Sequence, residues 1–299
     1  MRERRIGKTT LKVGKFLSVD RRGFLQNDAS LEKIPSRWRK PVSELVDAYV
    51  LNLGKSLQSV YIRGSIVRGE PIGFISDIDS IAIVSDISQS SDEKWMEDLR
   101  NRFEAAYPFV AGLELRIILR EDFLTSDKCL PDRFILKTQG VCLWGRDSVR
   151  RLKRFRPDET VIKALHGNLG EIVDTACSVL RTATGVQKNA KIDEAVRELI
   201  EKKGMGIPSS PEAVKKWCQW AMKRMIRGGF ALVMEAEKKY TRDLYLCYEA
   251  FSRHYPASAV QMRKALELAV EPSGDPHVTL ALLESLGRSL VSEMKKRIG

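Results

Sequence analysis

Residues 77 to 84, DIDSIAIV, put two carboxylates at alternate positions of an otherwise apolar run. Successive side chains of a strand point to opposite faces, so Asp77 and Asp79 share one face while Ile78 points to the other. Like charges that close are costly to bury unless a cation lies between them. The pair therefore either caps a turn, meets an arginine, or holds a metal.

The surrounding periodicity narrows the fold. After Pro41, VSELVDAYVLNLGKSL carries Val42, Leu45, Val46, Tyr49, Val50 and Leu53 at helical spacing, with the proline near the start where it is tolerated. SVYIR reads as a short strand ending at Gly64-Ser65, and a turn containing Pro71 and Gly73 leads into DIDSIAIV. DEKWMEDLRNRFEAAY is a charged amphipathic helix, LELRIIL a third strand, PDRFILKT a brief helix and VCLWG a last short strand, with Gly145 and Asp147 breaking the pattern. From about residue 150 the strand signal fades. ETVIKALHGNLGEIVDTACSVLRTA, KIDEAVRELIEKK, PEAVKKWCQWAMKRMIRGGFALVMEAEKKY, TRDLYLCYEAFSRHY, VQMRKALELAV and VTLALLESLGRSLVSEMKKRI all read as helices. Ser209 and Ser210 before Pro211, with Glu212 behind, mark a helix start. The class is α+β: a small mixed sheet flanked by helices, then an all-helical bundle that can wall a ligand cleft. The expected divisions are a basic N-terminal arm over 1–41, a catalytic domain over 42–149 and a helical domain over 150–299.

With 299 residues, 43% of them apolar, the chain can build two cores. Its longest apolar runs are too short to span a bilayer and MRERRIGKTT lacks the apolar stretch of a secretion signal, so a cytoplasmic location is expected. The five cysteines form no CxxC pair and read as reduced. His166, His254 and His277 are too widely spaced for a zinc site. Of the net charge of +12, residues 1–40 supply twelve Lys or Arg against four acids. This arm either contacts a polyanion or packs as a solvated extension. Gly7-Lys8-Thr9 imitates the end of a P-loop, but Arg2 stands where that motif needs glycine.

In LELRIIL, Glu114 and Arg116 share one face and alternate with Leu113, Leu115 and Ile117. Placed beside DIDSIAIV, Glu114 completes a three-carboxylate cluster with Asp77 and Asp79. Hard oxygen ligands suit one or two Mg²⁺ ions, the chemistry of phosphoryl and nucleotidyl transfer. Glycine at 64 lets backbone amides approach a phosphate, and the Ser65 hydroxyl can donate to it.

Gly64-Ser65-x-x-Arg68-Gly69-Glu70 followed by Ser76-Asp77-Ile78-Asp79 resembles the signature of the DNA polymerase beta-like nucleotidyltransferase superfamily. The subgroup it is most similar to holds the minimal nucleotidyltransferases and the aminoglycoside (streptomycin and spectinomycin) adenylyltransferases. The resemblance covers about residues 42–148. It implies that Gly64 and Ser65 take the triphosphate, that Asp77 and Asp79 bind Mg²⁺, and that Glu114 is both third carboxylate and general base, with Glu121 and Asp122 as alternatives. ATP would be co-substrate, and AMP would move to an acceptor hydroxyl with release of pyrophosphate. A slightly longer loop through Ile72-Gly73-Phe74 and the basic arm are departures from the pattern. Arg68 either contacts phosphate or is solvated. In the helical half, Lys223 and Arg227 lie four apart and can reach a triphosphate or form a solvated face, while Tyr240, Tyr245 and Tyr248 either stack on a ring or belong to the core. The acceptor is expected to be an aminoglycoside-like small molecule. The alternatives are a protein or RNA hydroxyl, as in toxin-antitoxin nucleotidyltransferases, and a catalytically silent module that keeps the fold.

Overall fold

The computed structural model describes residues 14–74, 76–86, 94–184 and 207–299. The Gly7-Lys8-Thr9 triplet, all of the basic charge before residue 14 and the segment KIDEAVRELIEKK lie outside these residues. The chain divides into two compact units, one of residues 17–156 and one that includes 14–16 and 157–299.

In the first unit, α1 (Ser36–Leu53) precedes β1 (Leu57–Arg63), and α2 (Ser65–Arg68) precedes β2 (Ile78–Val84). Next come α3 (Lys94–Ala106), β3 (Leu113–Leu119), α4 (Arg120–Thr125), α5 (Leu130–Gln139) and β4 (Gly140–Gly145). The four strands lie in the order β3-β2-β1-β4. β2 runs antiparallel to β1 and parallel to β3, and β1 runs antiparallel to β4. Strand parity sorts the apolar side chains into two cores. Val60, Ile62, Ile78, Ala82 and Val84 pack with Leu45, Tyr49 and Leu53 of α1 and with Leu99 and Phe103 of α3. Tyr61, Ile81, Ile83 and Ile118 pack on the other face with Phe123 and Leu136. The helix–strand order matches the sequence reading, with differences at α1, α2 and α4; α2 is a four-residue helix where only a turn was expected. α1 begins at Ser36, so Pro41 stands inside it rather than near its start. The missing amide of Pro41 costs one backbone bond, offset by burial of Trp38, Pro41 and Val42 and by the edge-on contact of Trp38 with Phe109 at 5.1 Å. α4 is a further short helix, and it carries Glu121 and Asp122 in its exposed first turn.

Residues 17–35 pack onto this unit. Leu17, Leu25 and Ile34 are buried, Leu25 N–H donates to Phe155 O at 2.8 Å, and Arg154 pairs with Asp20 at 2.5 Å. Beyond β4, Asp147 Oδ1 accepts from Tyr61 Oη at 3.1 Å and from Val149 N–H at 3.0 Å, which closes the sheet.

The second unit is helical throughout its described residues apart from its connecting segments. It contains α6 (Glu159–His166), α7 (Leu169–Ala183), α8 (Pro211–Ala231), α9 (Met234–Glu237), α10 (Leu244–His254), α11 (Ala259–Val270) and α12 (Pro276–Leu282). A π-turn over Leu283–Gly287 leads from α12 into α13 (Arg288–Ile298). As expected from the sequence, Ser210 caps α8 by accepting from Ala213 N–H at 3.2 Å, with Pro211 in the first turn. α8 is the central helix, burying Trp217, Met222, Met225, Ile226 and Phe230. A Cβ at Gly229 would stand 2.5 Å from Met262 Cε and 3.1 Å from the Phe251 ring, so glycine there sets how closely α10 and α11 approach. The long helix read over ETVIKALHGNLGEIVDTACSVLRTA is broken between α6 and α7, at Gly167-Asn168. No helix among the described residues is long and apolar enough to cross a membrane.

Candidate active site

β1 delivers the chain to Gly64, whose backbone sits at φ +88 and ψ −153, a conformation costly for any residue with a Cβ. Proximity imposes the same choice: a Cβ at Gly64 would come within 3.0 Å of Asp79 Oδ2. The turn folds back on itself through Ser65, whose Oγ donates to Ser76 Oγ at 3.1 Å, while Ser76 Oγ accepts from Ile72 N–H at 2.9 Å. Gly64-Ser65 is thereby tied to the residue just before Asp77, and the long Ile72-Gly73-Phe74 loop is closed by Phe74 N–H on Phe109 O at 2.6 Å.

Asp79 is the second residue of β2 and lies opposite Arg63 of β1 on one side and Glu114 of β3 on the other. The three occupy one row across the sheet on one face. Arg63 Nη2 stands 3.1 Å from Asp79 Oδ1 and 3.2 Å from Glu114 Oε2. Arg63 and Asp79 are mostly buried, with side chains 16% and 14% exposed, whereas Glu114 is 54% exposed and so open to an incoming molecule. Burial lifts the Asp79 carboxyl well above the usual carboxylate range; Arg63 opposes this, while like-charge repulsion from Asp77 and a direct hydrogen bond with the Glu114 carboxyl add to it. Burial works against the charge of Arg63, but Asp79, Glu114, Asp77 and Asp132 together hold its pKa above the ordinary guanidinium value. Asp77 itself is exposed and precedes the strand rather than lying in it.

In the first turn of α5, Asp132 is buried and pairs with Arg116 Nη1 at 2.5 Å, while its Oδ2 has no hydrogen-bond partner among the described residues. Burial raises its carboxyl, against the pull of Arg116 and Arg63. Neither Arg63 nor Asp132 was singled out from the sequence. Parity offered a signal for Arg63, which falls on the same face as Tyr61 and directly abuts Gly64-Ser65; Asp132 looked like an ordinary first-turn acid.

The structure revises the expected ligand set. Among the described residues, no group of three or more His, Cys, Asp or Glu is spaced to hold a metal ion. Glu114 is brought beside Asp79, and one nitrogen of the Arg63 guanidinium contacts both carboxylates. Asp77 and Asp79 remain as an adjacent pair of hard oxygen donors beside a glycine whose missing Cβ leaves room at Asp79 Oδ2, and this donor set fits Mg²⁺, which takes one or two carboxylates and completes its shell from water and phosphate.

Arg68 is neither solvated nor turned to a ligand. Its side chain is 7% exposed and its Nε lies 3.0 Å from Asp28 Oδ2, which ties α2 to the segment before α1 because a buried guanidinium needs a carboxylate. Glu121 and Asp122 lie in exposed α4, beyond the row.

In the helical unit, Lys223 is half-buried on α8, and Arg227 donates from Nε to Arg242 O at 3.2 Å. Burial, with Arg242 close by, lowers the Arg227 pKa to about 10. Tyr240 is 3% exposed, so its ring is buried rather than presented for stacking. Tyr245 and Tyr248 are half-buried and pack against one another with centroids 6.0 Å apart.

Neither a protein-family model nor a curated protein sequence matches this chain. Among solved structures, it is similar to the crystal structure of spectinomycin adenyltransferase AAD(9) from Enterococcus faecialis with ATP and spectinomycin, at a TM-score of 0.53 and 14% identity. That likeness spans 84% of this chain and 98% of the other. At such identity the likeness is one of architecture: this chain shares with that structure a mixed four-stranded sheet flanked by helices, together with a helical region.

Proposed function

We propose that the chain is a Mg²⁺-dependent nucleotidyltransferase that moves AMP from ATP to an acceptor hydroxyl and releases pyrophosphate. The observation that carries this reading is the Asp79–Glu114 pair on adjacent parallel strands, one residue row beyond the Gly64-Ser65 turn, in a nucleotidyltransferase fold.

Asp77 and Asp79 would hold the ion. When bound, it neutralises the triphosphate and stabilises the oxygens that gain charge during in-line displacement. The Gly64-Ser65 backbone amides and the Ser65 hydroxyl bind phosphate oxygens, which the absence of a Cβ at Gly64 permits. Glu114, more than half exposed at the edge of the row, accepts the proton of the acceptor hydroxyl; Arg63 holds that carboxylate in place. The acceptor oxygen forms its bond to the α-phosphorus as the bond from that phosphorus to the bridging oxygen breaks, and pyrophosphate departs with the electron pair.

The acceptor class favoured is an aminoglycoside-like small molecule, by analogy with the spectinomycin adenyltransferase, whose fold this chain shares. Pyrophosphate release from each of the four ribonucleoside triphosphates, measured with and without Mg²⁺ against a panel of aminoglycosides, RNA and protein acceptors, tests the reading. Mg²⁺-dependent release with ATP and a small-molecule acceptor is the expected result. Release only with RNA, weakening steeply with salt, would move the acceptor to a polyanion. Absence of both release and Mg²⁺-ATP binding would sink it.

A further inference from the structure

Arg63 is the least expected member of the row. A guanidinium at the end of a strand ordinarily reaches solvent, yet this one is five-sixths buried and divides one nitrogen between two carboxylates, 3.1 Å from Asp79 Oδ1 and 3.2 Å from Glu114 Oε2. Backbone register fixes the arrangement: Arg63 pairs with Asp79, and Asp79 pairs with Glu114, so three neighbouring strands present the three side chains side by side. In a two-ion site, a second cation about 3.5–4 Å from the first would bridge such a carboxylate pair, at about 2.0–2.1 Å from each ligating oxygen if it is Mg²⁺. One guanidinium nitrogen of Arg63 already contacts an oxygen of each carboxylate.

Charge bears on the same site. Asp77, Asp79, Glu114 and Asp132 act on Arg63, and Arg116 pairs with Asp132, so the carboxylates outnumber the guanidinium groups they face. That leaves the row receptive to a divalent ion. Asp77 and the Oδ2 side of Asp79, beside the Cβ-free space of Gly64, lie outside the Arg63 contact and are the donors left for it.

We infer that Arg63 is a built-in cation standing in the place of a second metal ion, so that this chain works with one divalent ion, on Asp77 and Asp79. The inference rests on the nucleotidyl-transfer reading. Arg63 is thus a positioning residue: it holds Glu114 as a proton acceptor instead of a metal ligand.

Mn²⁺ counted by electron paramagnetic resonance tests this directly, using the full-length chain in excess over a non-hydrolysable ATP analogue so that all nucleotide is bound. The wild type is expected to hold one Mn²⁺ per bound nucleotide, with the signal of an isolated ion. Arg63→Met, which keeps length but removes charge, is expected to hold two, with the spin-coupled signal of a close pair; Arg63→Lys, which keeps a cation, is expected to stay at one. Two coupled ions in the wild type, or a single ion in a folded Arg63→Met chain, would overturn the inference. The wild-type count stands even if Arg63→Met does not fold. A wild type that binds neither nucleotide nor Mn²⁺ would instead overturn the nucleotidyl-transfer reading, and this inference with it.

Discussion

Gly64 and Asp79 are fitted to each other: the space a Cβ would take on Gly64 ends 3.0 Å from Asp79 Oδ2, and the Gly64 backbone is held at φ +88. Gly64→Ala therefore meets two penalties at once. Left-handed backbone costs an L-residue about 1–2 kcal/mol, and the new methyl crowds the proposed ion position. A loss of that size in denaturant unfolding is expected, with ATP affinity lowered at least tenfold in calorimetry. Wild-type affinity in Gly64→Ala would contradict the role given to this space.

Glu114→Gln tests the proton acceptor. The amide keeps the shape and accepts from Arg63 through its oxygen, but cannot take a proton. Turnover should fall by about 10²–10⁴, the usual range for general-base loss, while ATP binding changes little. An unchanged kcat would remove Glu114 from the chemistry.

Arg68→Met tests the structural tie. With Asp28 left in the interior without this guanidinium, stability of the 17–156 unit should drop by about 3–5 kcal/mol, the range for breaking a buried ion pair from one side. Adding Asp28→Asn should restore part of it. A drop in ATP affinity without a drop in stability would instead return Arg68 to the phosphates.

His166 sets a pH dependence in the helical unit. Burial pushes its pKa down to about 3, with Arg242, Arg227 and Arg224 acting in the same direction by like-charge repulsion. Because the folded value lies below the unfolded one, the unfolded chain binds the extra proton. Stability is full above about pH 6.5 and is lost as pH falls from there toward 3, by at most about 1.4 kcal/mol per pH unit. His166 is only partly buried, which places the slope below that ceiling. Thermal melts of wild type and His166→Gln across pH 7 to 4 should converge in slope difference on this single group; parallel curves would show that His166 titrates normally.

The order of helices and strands in the first unit was legible because β3 alternates, β1 and β2 are short apolar runs bounded by turns, and each helix except short α2 and α4 carries a clear apolar stripe. Those two, of four and six residues, were missed because neither contains a full repeat of any pattern. Pro41 misled the start of α1 because local preference was outweighed by burial of Trp38 and Val42. At the candidate site, Asp79 and Glu114 stood out because acids in apolar strands are conspicuous, and Gly64-Ser65 because it ends a strand just before them. Arg63 and Asp132 were not, since their partners come from other strands and from α5, and only the three-dimensional register shows that one guanidinium answers two carboxylates. Arg68 and Tyr240 kept two readings each for the same reason: a cation in a turn and an aromatic on a helical pattern look alike, accessible or packed, until burial is known.

The central claim is that the Asp77–Asp79 site transfers a nucleoside monophosphate to an acceptor hydroxyl. Its most direct test is the mass of an aminoglycoside acceptor after incubation with ATP, Mg²⁺ and the chain, set beside Asp77→Asn/Asp79→Asn. The account predicts an acceptor heavier by one AMP, formed with an equal amount of pyrophosphate by the wild type and not by the double variant. An AMP adduct made equally well by the double variant, or ATP bound without any transfer across the acceptor panel, would contradict it.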